Sequence, residues 1–164
     1  MVGFPFGSRW MQKIKIIAEI GINHWGDIDS AKKMILAAKK SGCDYAKLQT
    51  YITEKRVKKN SPIYDILKEC ELSFKDQEKL FKFSKDVGIE LFSTPFDDES
   101  TDFLGNMGCE ILKVASFDSI NHKLLRKVAE KKKQIIISTG MTSEKELLDA
   151  LTILKSSGKK TIIL

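Results

Sequence analysis

The sequence predicts an α/β fold of the (β/α)8, TIM-barrel type, carried through about five βα units and the start of strand six. Three observations predict it. The period of the apolar residues switches repeatedly from strand-like to helix-like. Helical stretches open at Ser-x-x-acid boxes and stop at glycine. Five successive strand-like runs deliver a polar or charged side chain at or just past their carboxyl ends.

Ile14, Ile16, Ile17, Ala18 and Ile20 make a short buried strand, followed by a turn-rich loop over 21–27. Ile28, Ala31, Met34, Ile35 and Ala38 recur at helical spacing up to Ser41 and Gly42, the glycine suited to a C-cap. Tyr45 to Thr50 is the second strand. Residues 52–72 are charged and contain Pro62; they predict a long connecting loop with one helical turn around Ile63 to Leu67. Ser73 with Asp76 opens a helix through Leu80, Phe81, Ser84 and Val87 that ends at Gly88. Glu90 to Thr94 is the third strand, stopped by Pro95, and Asp97 to Met107 is a helix ended at Gly108. Glu110 to Ala115 is the fourth strand, and Ile120 to Lys131 a helix with Leu124, Leu125 and Val128 inward. Gln134 to Ser138 is the fifth strand. Ser143 with Glu146 starts a helix to Ser157 and Gly158, and Thr161 to Leu164 begins a sixth strand.

Of the 164 residues, 42% are hydrophobic and 30% charged, a globular composition that excludes collagen and low-complexity arrays. No apolar run approaches the ~20 residues of a membrane span. The net charge of +6 rests on lysine, with Arg9, Arg56 and Arg126 as the arginines. That pattern describes a solvated surface rather than a nucleic-acid reader, which leans on arginine forks and basic stripes. Lys131 to Lys133 sits where a helix dipole favours cations. Cys43, Cys70 and Cys109 form no CxxC pair and read as reduced thiols of a cytoplasmic protein. Residues 1–13 fit no pattern and are expected to be a non-native or disordered extension, with Met11 as a candidate start; 14–164 is one partial barrel domain.

An open doubly wound sheet competes with the barrel, and length favours it, since a complete barrel takes roughly 250 residues. The strand ends favour the barrel. Glu19, the pair Lys47 and Gln49, Ser93 with Thr94, Lys113 followed by Ser116 and Asp118, and Ser138 with Thr139 all fall at carboxyl ends. In a barrel those ends converge on one mouth; in an open sheet only those near the switch point meet a ligand. A buried charge costs several kcal/mol unless paired, so repeating it around a rim makes sense where the rim is a site. Two strand lysines with neutral hydroxyls suit a phosphate or carboxylate. Glu19 suits a general base, a water-orienting group or a partner for a sugar hydroxyl. His24 and His122, both placed in loops, make a poor metal set, and Trp25 reads as a packed loop aromatic. Phe81, Phe83 and Phe92 fall at core positions. No glycine-rich dinucleotide or Walker loop is present.

These residues carry a resemblance. Ala18 to His24 with Trp25, Gly26 and Asp27, then Lys47-Leu48-Gln49-Thr50, Ser93-Thr94-Pro95-Phe96, Lys113 to Asp118 and Ser138-Thr139-Gly140-Met141 resemble, in order, the motifs of the sialic acid synthase family. That family includes N-acetylneuraminate, pseudaminic acid and legionaminic acid synthases. The resemblance implies a (β/α)8 barrel that condenses phosphoenolpyruvate with an N-acetylmannosamine-type sugar to a nine-carbon 2-keto acid, releasing phosphate. It implies phosphoenolpyruvate contacts at Lys47, Thr94, Lys113 and Ser116, a catalytic carboxylate at Glu19, and sugar contacts at Gln49 and Asp118. It implies a divalent metal, manganese or magnesium, and a homodimer for the full-length family. The metal-binding histidines and an antifreeze-like domain would lie beyond Leu164, so the chain is expected to be a fragment, unstable or associated when alone. The Ser-Phe-acid form at 116–118 is nearer the pseudaminic branch, although Asp118 stands where glutamate is usual. Two other readings stay open. One is a Schiff-base aldolase using Lys47 or Lys113; the other is a non-catalytic half-barrel that associates with a partner.

Overall fold

A computed structural model describes residues 14–164; the expected extension over 1–13, with Met11, lies outside them. Six parallel strands, β1 (Ile17–Gly21), β2 (Tyr45–Thr50), β3 (Glu90–Pro95), β4 (Ile111–Val114), β5 (Gln134–Ile137) and β6 (Thr161–Ile163), form one sheet in the order β1-β2-β3-β4-β5-β6. This order decides between the two candidate folds. A doubly wound sheet reverses its strand order at a switch point; here each strand pairs with the next in sequence, as in the wall of a barrel.

Five helices follow the strands as crossovers: α1 (Ile28–Lys40) after β1, α4 (Phe74–Val87) after β2, α5 (Asp98–Asn106) after β3, α6 (His122–Glu130) after β4 and α7 (Glu144–Leu154) after β5. Their starts follow from side-chain caps. Asp27, Ser73, Asp97, Asn121 and Ser143 each accept a backbone N–H of the first turn, and Ser143 with Glu146 makes the reciprocal box. Two short helices, α2 (Thr53–Arg56) and α3 (Tyr64–Cys70), occupy the segment expected as a loop with one helical turn. Their formation follows from what they bury. Tyr51 donates its hydroxyl to the Leu67 carbonyl at 2.9 Å, and Leu67 and Cys70 are buried.

Three smaller expectations are corrected. The first strand starts later than expected, with Ile14 and Ile16 exposed rather than buried. Trp25 is 60% exposed and so is not packed. His122 opens α6 instead of lying in a loop.

The period-two alternation of the strands sorts their side chains into two layers. Ala46, Leu48, Leu91, Leu112, Val114, Ile135 and Ile137 face the helices, packing with Ile35, Leu80, Leu104, Leu125 and Leu154. The opposite face carries a second cluster of Phe92, Ile111 and Ile136, with Ile17, Tyr45 and Ile162 against it. Two residues further along the first five strands the same face turns polar, at Glu19, Lys47, Thr94, Lys113 and Ser138. The barrel interior is thus apolar below and charged at the carboxyl ends.

Two contacts tie the segment between β2 and β3 to this wall. Thr50 donates its hydroxyl to Gln77 Oε1 at 2.7 Å and meets Ser93 Oγ at 2.7 Å, while Gln77 Nε2 donates to the Leu72 carbonyl. Gly26, at φ 70°, leaves room for the Glu69 carbonyl oxygen, which would stand 2.2 Å from any β-carbon there. Only glycine satisfies both the backbone angle and the approach. Cys43, Cys70 and Cys109 are all free, and burial pushes the Cys109 thiol up to about 12. Among the described residues no helix is long and apolar enough to cross a membrane.

Replacing Gln77, 1% exposed, by leucine keeps the volume but strips partners from Thr50 and the Leu72 carbonyl. Each buried polar group left unpaired costs about 1–3 kcal/mol. Urea unfolding of Gln77→Leu should show a loss in that range with an unchanged slope; a loss below about 0.5 kcal/mol contradicts the network's role.

Candidate active site at the strand ends

The carboxyl ends of the strands enclose a cavity of about 410 Å³ lined by Glu19, Lys47, Gln49, Arg56, Thr94, Phe96, Lys113, Ala115, Ser116, Phe117, Ser138 and Leu164. Register brings the first group together. Glu19 lies beside Lys47 across the β1–β2 pair, and Gln49 lies beside Thr94 across β2–β3. Beyond Glu19 the β1–β2 register shifts before Gly21.

Lys47 is only 6% exposed, so its charge needs partners. It ion-pairs with Glu19 Oε2 at 2.9 Å and donates to Thr94 Oγ1 at 2.9 Å. Lys113 donates to the Val114 carbonyl at 2.8 Å and to Ser138 Oγ. No acid lies within ion-pair distance of it among the described residues. Burial, and after it the nearby Lys47 charge, lowers the Lys113 pKa to about 8, with Glu19 acting weakly the other way. The two lysines therefore present more positive charge than Glu19 neutralises, in a space whose floor is Phe92 and Ile136.

Six of the seven residues expected from sequence line this cavity: Glu19, Lys47, Gln49, Thr94, Lys113 and Ser116. Asp118 does not. It ends a short 3₁₀ turn over Ser116–Asp118, and its Oδ1 accepts from Asn121 Nδ2 at 3.2 Å, toward the start of α6. Its Oδ2 is buried without a partner, and burial raises its pKa. Of the two histidines, His24 is 2% exposed, with Nδ1 accepting from the Gly26 N–H and burial lowering its pKa.

Ser138, expected at the rim from its place at the end of the fifth strand, holds Lys113. Two further participants were not expected. Phe96, just past β3, and Arg56, at the end of α2, form a wall. The guanidinium lies 3.7 Å from the Phe96 ring centroid and 4.6 Å from that of Tyr51, and it donates to Gln49 Oε1 at 3.1 Å. One of three arginines in a lysine-rich chain, Arg56 was a usable hint; its place in the cavity depends on α2, which the sequence pattern did not reveal.

A second concavity, about 460 Å³, lies beside α5 and α6 and is lined by Lys55, Asp98, Glu99 and Lys123 among others. Its charges pair with each other, Lys55 with Glu99 and Lys123 with Asp98, so it offers no uncompensated cation. The strand-end cavity does.

Comparison with known proteins identifies the family. Residues 34–164 match the model of the NeuB family. The chain is 41% identical to an uncharacterised protein of Methanocaldococcus jannaschii, over 100% of this chain and 50% of that protein. It is 40% identical to the N,N'-diacetyllegionaminic acid synthase of Legionella pneumophila, over 85% and 43% respectively. Among solved structures, the N-acetylneuraminic acid (sialic acid) synthetase of Leptospira borgpetersenii, in complex with citrate, superposes with a TM-score of 0.88 at 35% identity. That match covers 92% of this chain and 53% of the other. The chain spans about half the length of the curated relatives it matches. With six sequential parallel strands, a cationic mouth and a family match over most of its length, the chain belongs to the NeuB family.

Proposed function

We propose that this chain supplies the phosphoenolpyruvate-binding wall of a sugar-acid synthase. The reaction joins phosphoenolpyruvate to an N-acetylmannosamine-type sugar, giving a nine-carbon sialic, pseudaminic or legionaminic-type 2-keto acid and phosphate. The observation that carries this reading is the buried Lys47 beside the half-buried Lys113, backed by Thr94 and Ser138, at one end of an open cavity. Carboxylate and phosphate together bring the negative charge that the two ammonium groups lack. Ser116 and Thr94 add hydroxyl donors, and Gln49 and Arg56 mark the end left for the sugar.

Glu19 is the acid among the lining residues. Paired with Lys47 and more than half exposed, it stands where it can take a proton from the water that attacks the phosphate-bearing enol carbon, while the aldehyde oxygen of the sugar gains one as the new carbon–carbon bond forms. Asp118 lies outside the cavity, with Oδ2 buried and unpartnered among the described residues, so no sugar contact is assigned to it. A divalent metal, manganese or magnesium, would polarise the sugar aldehyde. Among the described residues no group of three or more His, Cys, Asp or Glu could hold one, so the residues described do not make its site and no step is derived through it. A homodimer and a cytoplasmic location complete the proposal.

Titration calorimetry tests it. The chain should bind phosphoenolpyruvate, and Lys47→Met should weaken binding by about 10–100-fold, the worth of a charge-assisted hydrogen bond. Absence of binding at millimolar concentration would overturn the proposal.

Lys113 adds a pH signature. Its depressed pKa means the cation is present below about 8 and lost as pH rises through that value. Affinity for phosphoenolpyruvate should hold near pH 7 and then fall, by up to about tenfold per unit while the amine is neutral in the free protein but still charged in the complex, and level off once it is neutral in both. Lys113→Arg, always charged, should flatten the fall; a flat wild-type profile to pH 9.5 contradicts the assignment.

The same depressed amine favours one second reading, imine formation with a carbonyl substrate. Borohydride in the presence of a 2-keto acid would leave a stable adduct on Lys113 under that reading and none under the synthase reading.

A further inference from the structure

Arg56, the third cation of the cavity, has no part in binding phosphoenolpyruvate as described above. Its guanidinium is clamped between Phe96 and Tyr51, and Phe117 stacks parallel on Phe96 at 5.8 Å and 12°. Burial lowers its pKa, opposed only by Tyr51 and the more distant Asp118 charge, with no carboxylate inside ion-pair range among the described residues. Its hydrogen-bond partner there is Gln49 Oε1.

A guanidinium has donors and no acceptor. The orientation of a glutamine amide is ordinarily an assignment, since its oxygen and nitrogen look alike. Here the partner settles it: Arg56 can accept nothing, so Oε1 must face it. Gln49 has therefore committed its carbonyl and keeps Nε2, with two N–H donors, for the cavity. A fixed positive charge stands directly behind that amide, and the ring of Phe117, 54% exposed, offers apolar surface beside it.

We propose that Arg56 is a positioning residue that sets sugar specificity: it holds Gln49 as a pure donor beside a fixed cation, so this end of the cavity selects an amino sugar whose nitrogen is acylated over the same sugar with a free ammonium group. The acyl carbonyl oxygen accepts from Gln49, its methyl rests on the aromatic wall, and an ammonium would meet donors and like charge. This deepens the synthase reading and rests on it.

Calorimetric titration of the full chain at pH 6.5, saturated with phosphoenolpyruvate, tests the idea with N-acetyl-D-mannosamine and D-mannosamine. The wild type should prefer the acetylated sugar by about tenfold or more. Arg56→Met should bring that ratio to within about twofold of one. Gln49→Glu, which places a carboxylate where the N–H donors were, should reverse it, and it decides the matter if Arg56→Met fails to fold. An unchanged ratio in folded Arg56→Met, or no response to either sugar while phosphoenolpyruvate binds, overturns the role of Arg56 and leaves the synthase reading standing. Failure of the wild type to bind phosphoenolpyruvate removes that reading, and this one with it.

Discussion

A lysine kept charged while almost wholly excluded from water is the constraint around which the strand ends are organised. Lys47 is 6% exposed, and burying an unpaired ammonium costs several kcal/mol. The β1–β2 register answers this by setting Glu19 alongside, and the β2–β3 register sets Thr94 within reach. Both partners depend on strands separated in sequence by a whole helix. The site and the sheet are therefore one structure: a register slip of one residue would turn Lys47 toward the helices and leave Leu48 in the mouth.

Lys113 shows the complementary case. It shares the cavity but not the ion pair, so its charge is balanced only by the Ser138 hydroxyl and a carbonyl, and its pKa falls to about 8. One lysine has its counter-ion within the chain; the other has hydrogen-bond acceptors but no acid within ion-pair distance among the described residues. That asymmetry is what the proposed anion site rests on. The concavity beside α5 and α6 makes the contrast, since there each lysine already has its acid.

Much of this was legible in the sequence because a strand has a period of two. Lys47 and Gln49 had to share a face, and Glu19, Thr94, Lys113 and Ser116 could be placed at strand ends by counting from Gly and Pro. All six line the cavity. The barrel order followed from the same ends, where length alone pointed to an open sheet. What failed to show was short or non-periodic. Residues 52–72 lack enough turns to display a helical period, so α2 and α3 read as loop, and Arg56 was lost with them. Asp118 follows a strand by four residues, beyond the reach of strand counting, and a 3₁₀ turn directs it to Asn121. Trp25 stood in a turn whose backbone, at φ 50°, puts the ring outside, a geometry no hydropathy pattern encodes.

Gly26 has a bearing on how such a chain can diversify. The Glu69 carbonyl at the end of α3 occupies the space a β-carbon would need, so the loop after Glu19 and the segment that brings in Arg56 interlock like gear teeth. Descendants that lengthen or redirect one of these segments must adjust the other at the same time. Drift in the wall built on Arg56 is thereby coupled to the loop behind Glu19, and small stepwise changes at either one alone are sterically penalised.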